Sequence, residues 1–462
     1  MNTNSKETEI EPAPVTETTP VTREQNGFLG FILGLSIICF VLGIAAHEFQ
    51  WNIYTRLLAP PFASLRAWLE RIDSTSAVTK CDLWHGLDYQ QRGVIRCRPE
   101  LAHQGYTVYT SAHEAGARLI DMDGNVVHQW GRLLHDVWSN PPHIPHPVPD
   151  PFVHWRRVHV WPNGDLLAIY VGVGDTPWGY GLAKLDKNSE LLWSYPANVH
   201  HDFDVRADDS VVTLVHEFRP YEEIDNLHTR KIDSPVLDDY IVELSPTGEV
   251  LKKISICEAF ARSPYRDVLQ VVDDYEWDCL HTNSIDLIGP EFAQRHDFAQ
   301  EGQVLLSLRA REILAIVDLD TEEVVWATFG TFHRQHDAEA LANGNLLLFD
   351  NRGNPGPGGP TRIIEFDPVT ADIAWEFAGD EHEWLYSRTR GAQQLLDNDN
   401  ILITESDGGR ILEVTRDGQI AWEFRNPATC EADDTQVGVI CGALRFTPAE
   451  LNFEFNQVNV SN

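Results

Sequence analysis

VDLDTEEVVWATFG (317–330) is an acidic turn followed by a short apolar strand with Trp at its centre, and the chain repeats that phrase six times. The other copies are DMDGNVVHQW (121–130), LDKNSELLWSY (185–195), LSPTGEVLKKI (244–254), FDPVTADIAWEFAG (366–379) and TRDGQIAWEFRNP (415–427). Aligned on the turn, His128, Trp193, Lys252, Trp326, Trp375 and Trp422 are equivalent, with spacings of 65, 59, 74, 49 and 47 residues. A period near 50 carrying several short strands per copy predicts an all-β chain, a six-bladed β-propeller.

A second phrase opens the repeats: HWRRVHVWPNGDLLAIY (154–170), HHDFDVRADDSVVTLV (200–215), QHDAEALANGNLLLFD (335–350) and GAQQLLDNDNILIT (391–404). Asn-Gly, or a stand-in such as Asp-Asp, sits between two strand-like runs, which is a hairpin signal. The fourth repeat substitutes HTNSIDLIG (281–289), followed by QVLLSLRAREILAIVDLD. The first repeat lacks an opening strand, and ICGALRF within 440–451 has no repeat of its own; pairing the two would close the ring and remove exposed edges. Segments 139–151 and 254–280 fall outside the repeat and read as loops or small helical insertions.

Residues 27–46, GFLGFILGLSIICFVLGIAA, form an uncharged run of 20. That length spans the ~30 Å core of a bilayer as a helix, and it exceeds the about 7–15 residues of a signal-peptide core. A transmembrane helix is therefore expected there, after a polar tail at 1–26 and before a stalk and collar at 47–104. The propeller would occupy 105–451, with a tail at 452–462. Flanking charge does not fix orientation, because Lys6 and Arg23 precede the run while Arg56, Arg66, Arg71 and Lys80 follow it. Cys81 with Cys97, Cys257 with Cys279, and Cys430 with Cys441 are three near neighbours flanking irregular sequence, a pattern that suits disulfides in an oxidising compartment. The expectation is a single-pass membrane protein with the propeller on the extracytoplasmic, periplasmic side.

With 70 acidic and 35 basic residues the net charge is −35. Nucleic acid is excluded as a partner, since phosphate binding needs a basic face. An anionic substrate would need a local positive cluster. The opening phrases supply one: Arg156, His201, His336 and Gly391 are equivalent, with His281 in the variant fourth repeat. In a propeller the first strand of each blade lines the channel, so these side chains would converge. Clustered imidazoles serve either metal binding or nucleophilic attack beside an anion. Arg309, in the same repeat as His281, favours oxyanion recognition and would repel a metal. Asp202 and Asp337 follow His201 and His336, and alternation along a strand assigns them to turn support rather than to the imidazoles.

HTNSIDL with SLR downstream, QHDAEALANGNLLLFDN, HHD and the repeated Trp strand together resemble the arylsulfate sulfotransferases, the PAPS-independent bacterial arylsulfotransferase family. The resemblance covers residues 100–450 and implies a periplasmic six-bladed propeller. It implies sulfuryl transfer from an aryl sulfate donor to a phenolic or hydroxyl acceptor, by a ping-pong mechanism through a sulfohistidine, with no cofactor, metal or nucleotide donor. By motif, His336 is the expected nucleophile. His201, His281 and Arg309 are the expected anion-stabilising residues, and Arg156 is an expected substrate ligand. The competing expectation is a non-catalytic, membrane-anchored scaffold. The long apolar segment and the number of cysteines depart from the family pattern.

Overall fold

A computed structural model describes residues 34, 36–38, 40, 83–86, 91–175, 178–220, 224, 235–270, 278–330, 332–352, 361–379, 384–430 and 433–456. The chain divides into two compact units, Met1–Thr75 and Ser76–Asn462. In the second, the repeats fold into six antiparallel sheets in a propeller-like arrangement. The first sheet pairs Ile440–Phe446 with Tyr106–Ser111, then Gly116–Ile120 and Val126–Gly131. The unassigned C-terminal strand thus completes the first repeat. The second to fifth sheets are four-stranded meanders that begin at Val153–Val160, Val199–Val205, Thr282–Leu287 and His336–Ala340. The sixth begins at Ala392–Leu395 and gains Gly93–Cys97 as a fifth, outermost strand. A small sheet joins Trp84–Gly86, Asp433–Gly438 and Thr429–Cys430.

The acidic turns work locally. Asp121 Oδ1 accepts the backbone N–H groups of Asp123 (3.0 Å) and Asn125 (2.9 Å). Asp186 and Asp367 close their turns in the same way. Such Asx turns reverse the chain with the side chain standing in for a backbone acceptor. The outer-strand residue after each turn then reaches the neighbouring sheet. His128 Nε2 bonds the Lys187 carbonyl (2.9 Å), Lys252 Nζ donates to that of Leu319 (2.7 Å), and Trp375 Nε1 to that of Arg416 (2.9 Å). Trp422 Nε1 donates to the Met122 carbonyl (2.9 Å), joining the sixth sheet to the first. Each of these acceptors lies in the next acidic turn, which explains why turn and outer strand recur together.

Between each pair of successive sheets lies an apolar layer. The layer between sixth and first holds Tyr109, Ile120, Trp422, Phe424 and Ile440. Full burial of such side chains contributes about 1.5–3 kcal/mol each. The first strands touch in cyclic order, from Val153–Val160 round to Ile440–Phe446 and back. Segments outside the repeat form short helices, Leu134–Val137 and Ile256–Arg262 among them. Beyond the last strand, Phe453 and Phe455 pack on His128, 5.1 and 6.4 Å between ring centroids.

Two expectations are corrected. No helix among the described residues is long and apolar enough to cross a membrane. Of 27–46, only Gly34, Ser36, Ile37, Ile38 and Phe40 are described, and they are helical; the remainder lies outside the described residues. An uncharged run supplies the length for a span without dictating that one forms. The single-pass anchor is therefore not supported. The disulfides are not formed either: Cys97, Cys257, Cys279, Cys430 and Cys441 are free thiols, and Cys81 lies outside the described residues. Cys257 and Cys279 are buried neighbours with sulfurs 3.9 Å apart, nearly twice the bond length of about 2.05 Å. Cys430 belongs to the small sheet and Cys441 to the first. Closeness in sequence did not fix how the sulfurs are aimed.

Candidate functional site

The inner strands share an irregularity at one level. Register shifts fall between Trp155 and Val158, His200 and Phe203, Thr282 and Ser284, His336 and Glu339, and Ile440 and Gly442. A bulge re-aims side chains that simple alternation would send into the sheet interface. His201 and His281 take φ of 57° and 49°, left-handed values that suit such kinks. At the sixth position Gly391 has φ 113°, and a Cβ there would sit 2.4 Å from the Phe349 ring. That position must stay bare.

The bulges bring the expected residues to one cavity of about 300 Å³, lined by Arg156, His201, His281, Arg309, His336 and Trp178 among others. His336 is buried in its wall. Its Nδ1 lies 2.8 Å from Asn351 Oδ1 and 3.1 Å from the Arg334 carbonyl. Asn351 donates its Nδ2 to the carbonyls of Ser387 (2.9 Å) and Arg390 (2.7 Å), which fixes its oxygen toward His336. Both neighbours of Nδ1 are therefore acceptors, so Nδ1 carries the proton and Nε2 keeps its lone pair. Burial, then the charges of Arg309 and Arg156, hold the His336 pKa well below the usual imidazole range.

The other two imidazoles are held differently. His281 Nδ1 lies 2.5 Å from Asp278 Oδ2. Burial alone would raise the Asp278 carboxyl, but His281, His216 and Arg309 outweigh it and keep it below its ordinary value. That carboxylate holds the Nδ1 edge of the ring and orients the imidazole. His201 Nδ1 meets His200 Nδ1 at 2.8 Å, and His200 Nε2 lies 3.5 Å from Asp239 Oδ1. When His200 donates to His201, His201 presents Nε2–H as a neutral donor. Burial, then Arg156 and His200, hold His201 well below the imidazole range, so it stays uncharged. Trp178 packs on His201 and His281 with ring centroids at 5.8 and 5.5 Å.

The charge balance of the cavity is positive. Arg156 has no ion-pair partner among the described residues, and burial with Arg390 alongside pushes it down to about 10. An uncompensated buried guanidinium is costly unless an anion joins it. The cavity thus offers forked cationic donors, a lone pair on His336 and a carboxylate-backed imidazole. Metal binding was the other use open to clustered imidazoles. Ligand-type atoms of His200, His216 and Asp239 lie within 4.8 Å of one another. Their two rings are stacked, however, 4.1 Å apart and 18° from parallel. In-plane lone pairs of stacked rings cannot meet at one ion unless a ring turns.

Asn351, Asp278, Trp178 and Arg390 were not foreseen. Asn351 closes the strand run of QHDAEALANGNLLLFDN, where an Asn ending a buried strand was the available signal. Asp278 lies in a segment outside the repeat, and Trp178 in the connection between the second and third strands of the second sheet. Asp202 and Asp337 support no turn: they pair with Arg157 at 3.0 and 3.1 Å on the far side of the inner strands.

The model of the family described as arylsulfotransferase (ASST) matches residues 157–427, more than half of the chain. His201, His281, Arg309 and His336 fall inside the match, and Arg156 lies one residue before it. No curated protein matches the chain. Solved structures with a similar arrangement include a protein of unknown function from Bacteroides caccae, at 12% identity and TM-score 0.46 over 74% of this chain and 98% of that one. A streptogramin B lyase aligns at 12% identity and TM-score 0.38, over 76% and 88% of the two chains. A catalytically inactive virginiamycin B lyase from Staphylococcus aureus aligns at 12% identity and TM-score 0.33, over 61% and 73%.

Proposed function

The chain belongs to the arylsulfotransferase family, and from that premise we propose that it moves a sulfuryl group from an aryl sulfate to a phenolic or hydroxyl acceptor through a sulfohistidine on His336. The six sheets are, in this reading, the blades of a six-bladed propeller with the reaction at one mouth of its channel. The observation that carries the proposal is His336 itself, its proton held at Nδ1 by Asn351 and its Nε2 lone pair free beside unpaired Arg156.

His336 Nε2 attacks sulfur in line, forming the N–S bond as the S–O bond to the aryl group breaks. The departing phenolate takes a proton from His281, whose ring Asp278 orients. Arg156, Arg309 and the Nε2–H of His201 neutralise the sulfuryl oxygens as charge shifts onto them. The acceptor hydroxyl then returns a proton to His281 and attacks sulfur, breaking the N–S bond and freeing His336. Electrons and protons balance over the two half-reactions, so no nucleotide donor is needed. Trp178 offers an aromatic face for the donor ring.

The test is a trapped intermediate. With 4-nitrophenyl sulfate and no acceptor, the protein should release a burst of nitrophenol and gain one sulfuryl group on His336, mapped at acid-free pH because the N–S bond is labile. His336→Ala should abolish burst and adduct. His201→Ala and His281→Ala should slow the reaction by about 10²–10⁴-fold yet leave the adduct on His336. An adduct elsewhere, or one surviving His336→Ala, overturns the reading.

A further inference from the structure

One residue further along the same inner strands, the chain lines a second, smaller cavity of about 140 Å³. Asp202, Asp204, Asp286, Asp337 and Glu339 face it against a single guanidinium, Arg157. Ionised together, they leave an excess of four negative charges. Four of the carboxylates clip one sheet to another. Asp202 Oδ2 accepts from Ile285 N–H (3.2 Å), Asp204 Oδ2 from Leu287 N–H (3.0 Å), Asp286 Oδ2 from Ala340 N–H (2.9 Å) and Asp337 Oδ2 from Gln393 N–H (2.8 Å). Arg157 takes the Oδ1 atoms of Asp202 and Asp337.

What remains points to a ligand. The second oxygen of Asp286 and both oxygens of Glu339 meet no donor among the described residues. Gln393, 5% exposed, also lines this cavity. Its Nε2 donates to the Asp337 carbonyl, and reversing the amide would set two carbonyl oxygens face to face. Its Oε1 is therefore fixed, buried and without a donor among the described residues. An orphaned amide oxygen beside unpaired carboxylates is an electron-rich, oxygen-only cage, with no nitrogen or sulfur ligand. That is the donor set of a hard cation.

We propose that this cavity binds a divalent cation of the Ca²⁺ type through Asp286, Glu339 and Gln393. The ion sits at the junction of the fourth, fifth and sixth sheets and completes the clips between them. The inference stands apart from sulfuryl transfer and does not depend on it.

The full chain, stripped by chelator, is titrated with CaCl₂ by calorimetry and melted with and without Ca²⁺. One Ca²⁺ per chain should bind with Kd of about 1 mM or tighter, and saturation should raise Tm. Glu339→Gln keeps the size and removes a charge that no donor holds. It should weaken Ca²⁺ binding at least tenfold, yet raise Tm of the stripped protein by relieving repulsion. A merely structural role would instead lower Tm in both states. Asp286→Asn, which keeps an acceptor for Ala340 N–H, should weaken binding likewise. No heat and no Tm shift in the wild-type chain overturn the proposal. Binding that both variants leave unchanged overturns it as well, because the ion would then lie elsewhere on an acidic surface.

Discussion

Arg156 and Arg157 are neighbours in one strand that serve two different cavities. Arg156 lines a mouth where cationic and imidazole groups gather, and it has no ion-pair partner of its own among the described residues. Arg157 lines a floor where carboxylates outnumber it and grip it on two sides. The same bulged step sends His201 to the mouth and Asp202 to the floor, and His336 to the mouth and Asp337 to the floor. The contrast teaches that a repeated strand can hold charge in two ways at once. At the mouth Arg156 stands without an ion pair among the described residues, where the proposed reaction would bring an anion. At the floor it is spent on clips between sheets.

The largest expected effect breaks the floor. Arg157→Met leaves Asp202 and Asp337 facing each other unpaired, and should cost about 3 kcal/mol of stability, read as a lower denaturant midpoint. Arg156→Met is the mirror experiment. It should lower kcat/KM for 4-nitrophenyl sulfate by about 10²–10³-fold while leaving Tm unchanged or higher, since a repelled cation is removed. If both variants lost equal stability, the division into ligand-facing and structural charge would collapse.

Asn351→Asp sharpens the picture at the mouth. A carboxylate beside Nδ1 favours the charged form of His336, which the wild-type cavity holds neutral well below the usual imidazole range. The acid limb of the kcat/KM profile should move to higher pH, with turnover at neutral pH falling by roughly tenfold. An unmoved acid limb would show that Asn351 does not govern His336.

The smallest effect concerns the imidazoles behind the mouth. Burial pushes His216 down to about 3 from an unperturbed 6.5. Below 6.5 the unfolded chain therefore takes up a proton that the folded chain refuses. Stability should be flat above that pH and fall by about 1.4 kcal/mol per unit for this group as pH drops from 6.5 toward 3. His216→Phe should remove that share of the slope, measured by denaturant melts at pH 5 and 7.

The sheets were legible in the sequence because their signals are local. Asp121 and its equivalents close turns within five residues, and Trp422 and its equivalents follow at fixed distance. The ring positions of Arg156, His201, His281 and His336 were legible for the same reason, since one hairpin phrase could be laid on the next. The floor was not. Assigning Asp202 and Asp337 to turns took strict two-residue alternation to place them away from any site, whereas the bulge and the channel geometry gave them a cavity of their own. Asp278 escaped because it comes from a segment with no repeat to align, and Trp178 because it sits in a connection between strands rather than in the aligned phrases. The cysteines misled because nearness in sequence says nothing about how Cys430 and Cys441 are aimed. The apolar run at 27–46 misled because length is necessary for a membrane span and not sufficient.

The bond from Trp422 to the Met122 carbonyl makes the ring a hoop. Each sheet is a stave pressed between two others, so loosening one joint loads all the rest. Such a body resists breathing far better than it resists bending at its rim. The mouth that holds His336 cannot open by parting the staves, and its width is set when the hoop closes. On the proposed reading, discrimination among substrates rides on what hangs over the rim, and Trp178, in the connection between two strands of the second sheet, is the first piece of that overhang.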